Sequence, residues 1–79
     1  MENIQINKYG KIIKGNHKNW LIYIQDDKEN TGGYLILYKP SKDSQLGYDD
    51  WVENYENLKK YFSESKWEIE WEWTKKFTF

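Results

Sequence analysis

Among its 79 residues the chain has no cysteine, no arginine and no alanine, and only one proline and one histidine. Without cysteine there is neither a disulfide framework nor a thiolate zinc site, a composition that fits a reducing compartment. Without arginine, the bidentate forks that read guanine or clamp phosphate are missing, so direct base readout is not expected. The same bias, with abundant Lys, Asn, Ile and Tyr, fits an AT-rich genome. Long apolar runs are also missing. No stretch approaches the ~18–20 uncharged residues of a membrane span, and residues 1–10 lack the apolar core of a signal peptide. The expectation is a cytoplasmic protein that contacts neither nucleic acid nor membrane directly.

What is present is large side chains. The apolar 38% consists of eight Ile, five Leu, one Val, one Met and fifteen aromatics. At about 25 cal/mol per Å² of apolar surface removed from water, this concentrates burial in few residues and argues against disorder despite 32% charged residues. The length suits one domain, residues 1–79, with one core. The formal net charge is −1, which gives no global field toward nucleic acid or an anionic membrane. Its distribution is uneven: residues 1–24 carry four Lys against one Glu, whereas residues 40–73 carry four Lys against nine acids.

Along the chain, Ile4 and Ile6 alternate with polar neighbours, and Asn7-Lys8-Tyr9-Gly10 supplies turn chemistry before Lys11-Ile12-Ile13-Lys14, a pattern that reads as a short hairpin. After a turn at Gly15-Asn16-His17-Lys18, residues 19–25 place Trp20, Ile22 and Ile24 on one side and Leu21 and Tyr23 on the other. Residues 26–33 are rich in turn formers, with Gly32-Gly33 able to take positive φ, so residues 34–39 are expected to complete a second hairpin. This strand is again apolar on both sides, Tyr34, Ile36 and Tyr38 against Leu35 and Leu37. Pro40 ends the ladder and residues 41–47 form a loop.

Asp50 followed three residues later by Glu53 has the form of a capping box, and Trp51, Tyr55, Leu58 and Phe62 fall on one helical face, which predicts a helix over about 50–63. Beyond Ser63-Glu64-Ser65, Trp67, Ile69, Trp71 and Trp73 alternate with Lys66, Glu68, Glu70 and Glu72, the period of a strand with one aromatic and one acidic side. Residues 74–79 either continue that strand or form a tail. The expected architecture is α+β, a mainly antiparallel sheet of four to five strands with one helix on one face, in the order β-β-β-β-α-β.

A helix of about fourteen residues covers roughly 20 Å, enough for one sheet face. The other face is either a tolerable wet surface of Tyr hydroxyls and Lys stems, a sheet curled over itself, or a surface for a partner or second copy. Tyr34 and Tyr38 are candidates for such a surface, because Tyr and Trp are common binding hot spots. The Glu68, Glu70 and Glu72 ladder repels itself unless cations lie opposite. Either neighbouring Lys residues neutralise it, or it joins Asp49, Asp50, Glu53 and Glu56 in an acidic surface that suits a basic partner.

Catalytic constellations are absent. His17 sits in a predicted turn without a cysteine or paired carboxylates nearby, Asp26, Asp27 and Glu29 match no calcium-loop spacing, and no phosphate-binding glycine loop occurs. No catalytic residue, metal ligand or cofactor is assigned. Two competing readings remain: an aromatic sheet module that binds carbohydrate, and a self-associating structural protein.

Three segments carry a family likeness: Asn30-Thr31-Gly32-Gly33-Tyr34, Gly47-Tyr48-Asp49-Asp50-Trp51-Val52-Glu53 and Lys66-Trp67-Glu68-Ile69-Glu70-Trp71. In these the chain resembles small bacterial immunity proteins encoded beside polymorphic or contact-dependent toxins. The resemblance implies a cytoplasmic, non-enzymatic antitoxin that binds a cognate toxin domain, often a nuclease, and blocks it. It transfers no individual binding residues.

Overall fold

The computed structural model describes residues 4–41 and 43–71. Within them the elements are β1 (Tyr9–Lys14), β2 (Leu21–Asp27), β3 (Gly33–Lys39), β4 (Tyr48–Val52), α1 (Tyr55–Ser65) and β5 (Glu68–Trp71). The strands form one sheet in the order β4-β3-β2-β1-β5, each neighbouring pair antiparallel. The α+β class and the β-β-β-β-α-β order are therefore those expected, although two segments fill different places in that order.

The first difference is at residues 4–8, which form no strand. Asn7 takes a positive φ of 60°, its N–H donates to the Ile24 carbonyl at 2.6 Å, and its side chain accepts from the Asp26 N–H at 3.1 Å. The left-handed residue that suggested a hairpin turn instead bends the chain onto β2, and β1 takes β5 as its second neighbour.

The second difference concerns the helix. Asp50 and Trp51 belong to β4, and the helix starts at Tyr55 behind an Asn54 cap whose side chain accepts from the Asn57 N–H at 2.8 Å. Asn caps as well as Asp, and Tyr48, Trp51 and Val52 are side chains that suit a strand. Pairing of Tyr48 to Val52 with β3 hides one side of β3 that would otherwise be a bare edge, which outweighs one more helical turn. At the other end Lys66 turns left-handed (φ 56°). Its N–H reaches the Ser63 carbonyl and the Trp67 N–H reaches the Phe62 carbonyl, while the Phe62 and Trp67 rings meet edge to face at 5.1 Å. This paired reversal with its apolar contact stops the helix and aims the chain into β5.

Register decides the two faces. Ile12, Ile22, Ile24, Tyr34 and Ile36 point to the helix side, where Leu58 and Phe62 from α1 and the Trp67 ring close the core. The expected β2–β3 hairpin is formed over seven paired positions, and Asp27 anchors its loop: its carbonyl accepts from the Asn30 and Thr31 N–H groups and its buried carboxylate from the Asn30 and Gln25 amides. On the opposite side Leu21 and Lys39 are buried, and Tyr23, Leu35 and Leu37 are half-buried among Lys11 and Gln25. Among the described residues no helix is long and apolar enough to cross a membrane.

Candidate functional site

Strand β5 carries the acidic ladder beside a basic neighbour. The register sets Lys11 opposite Glu70 and Lys14 opposite Glu68, and the Lys14 Nζ lies 3.4 Å from the Glu68 carboxylate. Two of the three predicted ladder glutamates therefore face lysines across the pair with β1. Glu72, the third, lies outside the described residues, as do Trp73 and residues 74–79.

The acids of β4 have a different setting. Asp49 sits opposite Leu37 and Asp50 opposite Ile36, so no cation stands directly across from either, although Lys39, two residues along β3 from Leu37, lines a groove with Asp49. Glu53 follows in the connection to α1, and Glu56 lies in the first helical turn, where it pairs with Lys59 at 3.2 Å. Among the described residues no ion pair reaches Asp49, Asp50 or Glu53. Residues 46–56 contain these four acids and no lysine.

Exposed apolar groups gather in the same stretch. Of the five large apolar side chains that stand exposed among the described residues, four belong to it: Leu46 (66%), Tyr48 (49%), Trp51 (45%) and Tyr55 (42%). Two short contacts hold the stretch in place. The Trp51 indole N–H donates to the Thr31 hydroxyl at 2.8 Å, and the Tyr61 hydroxyl donates to the Asp50 carboxylate at 2.8 Å. Burial, reinforced by hydrogen bonds to Asp50 and Tyr38, pushes the Tyr61 phenol well above its ordinary range, so it stays a donor to Asp50. Shallow grooves flank β4 on both sides: one of about 340 Å³ by Val52, Asn57 and Tyr61, the other of about 250 Å³ by Leu37, Lys39 and Leu46.

The structure thus brings Asp49, Asp50, Glu53 and Glu56 together and separates them from Glu68 and Glu70, which lie at the far end of the strand order. It also moves the two candidate tyrosines. Tyr34 is only 6% exposed, inside the core, and Tyr38 is half-buried on the helix side, because the even-numbered positions of β3 are those that meet α1. Neither sits on the uncovered sheet face. Trp51 and Tyr55, which the helical reading placed on a buried face, are exposed instead, together with Tyr48.

A second aromatic group joins Trp20, Tyr38, Tyr48 and Trp67. Trp20, Tyr38 and Tyr48 lie 5.6 to 5.9 Å apart between ring centroids, Tyr38 meets Trp67 edge-on at 6.1 Å, and His17 covers Trp20 at 4.5 Å. Their faces are largely taken up by one another. Among the described residues no group of three metal-ligating side chains is placed to hold an ion. No protein-family model matches the chain, and no curated protein or solved structure is significantly similar to it.

Proposed function

We propose that this protein is a non-enzymatic binding module that neutralises a basic protein partner, in the manner of a bacterial immunity protein acting on a cognate toxin domain. The observation that carries the reading is the coincidence, in residues 46–56, of four acids, of which only Glu56 is ion-paired among the described residues, with four exposed apolar side chains. An interface needs both: aromatic anchors that lose water on contact, and a charge of one sign that steers the partner and fixes its orientation. The family likeness in Gly47-Tyr48-Asp49-Asp50-Trp51-Val52-Glu53 falls on the same stretch. Inhibition follows by occlusion, since a nuclease's substrate surface is basic and an acidic protein seated there displaces the phosphate backbone.

The carbohydrate reading has less support, because the stacked rings of Trp20, Tyr38 and Tyr48 spend on each other the faces that a sugar would cover. The test is to mix the purified protein with the toxin domain encoded next to it. A stoichiometric complex by calorimetry and loss of toxin activity are expected; no heat of binding with undiminished activity would end the inhibitor reading.

A further inference from the structure

The binding reading locates a partner at β4 but leaves open how it is held. Resting on that reading, we infer that the partner adds an extended segment to the outer edge of β4, and that this segment carries two consecutive basic residues, one for each face of the sheet.

Strand β4 ends the strand order, and among the described residues no backbone hydrogen bond outside its ladder with β3 reaches Tyr48 to Val52. Alternate residues of an end strand direct their N–H and C=O groups outward, ready to template another strand. The usual protections are missing here: β4 has no proline, and its register with β3 runs without a shift, unlike that of β1 with β5. Charge is its one guard, and that guard is selective. Antiparallel pairing with a second copy centred on Asp50 sets Asp50 against Asp50, and like charges directly opposite destabilise a pair. A basic strand meets attraction at the same positions.

The two-residue requirement follows from the pleat. Successive side chains leave opposite faces of a sheet, so Asp50 points to the helix side with Ile36 and Asp49 to the other side with Leu37. A strand laid along β4 also alternates, and only neighbouring residues reach both acids. The cation beside Asp49 would then also lie next to the exposed Trp51 ring on the same face, which adds to the attraction. The two grooves flanking β4 leave room for those side chains.

The probe is a short capped peptide of threonine and valine with Arg-Arg at its centre, titrated into the full chain while backbone amides are followed by NMR and hydrogen exchange. Shifts and slowed exchange at Tyr48 to Val52 are expected. Asn at both Asp49 and Asp50 should weaken binding roughly tenfold or more, and N-methylation of alternate peptide residues, which keeps the charge and removes the ladder bonds, should abolish it. The inference is overturned if the methylated peptide binds equally well, if the shifts centre on Leu35 and Leu37, or if ~1 mM peptide leaves β4 unperturbed. A toxin complex in which β4 exchanges freely also overturns it while leaving the inhibitor reading intact. Peptide addition at β4 without any toxin neutralisation does the reverse.

Discussion

The two ends of the sheet are built from the same kinds of residue. Strand β5 reads Glu-Ile-Glu-Trp and β4 reads Tyr-Asp-Asp-Trp-Val, each mixing acids with aromatics. Their neighbours make them different. Across from β5 lie Lys11 and Lys14, the latter ion-paired with Glu68, so each of its acids has a lysine opposite; across from β4 lie Ile36 and Leu37, so neither of its acids has a cation opposite. An acidic stripe thus has lysines opposite it on one strand and apolar residues opposite it on the other, and strand order decides which.

The sharpest way to break this comparison is to disturb each end separately. A Cβ at Gly33 would collide with the Val52 carbonyl and the Trp51 indole, whereas one at Gly10 would meet the Ile69 side chain at 2.6 Å. Gly33→Ala should cost about 1–3 kcal/mol and loosen β4, because its obstacle is backbone. Gly10→Ala should cost less and loosen β5. Amide exchange would separate the two, and partner binding should suffer only in the first.

Next in size is the helix cap that ends the β4 connection. Asn54→Ala removes the acceptor for the Asn57 N–H and should cost about 1 kcal/mol in chemical denaturation, while Asn54→Asp should be near neutral. A pH effect tests the anchoring of Asp50. The folded state holds the Tyr61 proton beyond the ordinary phenol value of 10.0, whereas the unfolded chain releases it there. The folded state then binds more protons, so stability should fall as pH rises above about 10, and Tyr61→Phe should flatten that part of the fall. The smallest effect is expected at the matched end. Glu68→Gln breaks an exposed ion pair and should change stability by less than about 1 kcal/mol.

The sequence was readable where one period dominated. The apolar alternation of β2 and β3 with the glycine turn between them, the Leu58 and Phe62 spacing, and the inward Trp67, Ile69 and Trp71 all lie where the pattern puts them. It misled where two patterns overlapped. Trp51, Tyr55, Leu58 and Phe62 fit a helical face, and Asp50 with Glu53 fits a cap, yet β3 needed an edge partner and took Tyr48 to Val52. The cap three residues before Asn57 and the adjacent Trp51-Val52 were the available signals for that strand. The candidate site was half legible for the same reason: its acids could be named from charge alone, but Tyr34 and Tyr38 could not be assigned to a face until Ile36 was known to meet α1 rather than solvent.

The central claim is that unmatched acids at β4, not the matched ones at β5, receive the partner. Affinity of the cognate toxin domain, measured by calorimetry for the Asp49→Asn/Asp50→Asn variant beside the Glu68→Gln/Glu70→Gln variant, tests it most directly. The account predicts a loss of roughly tenfold or more for the first and a change within about twofold for the second. Equal losses, or a larger loss at β5, would contradict it.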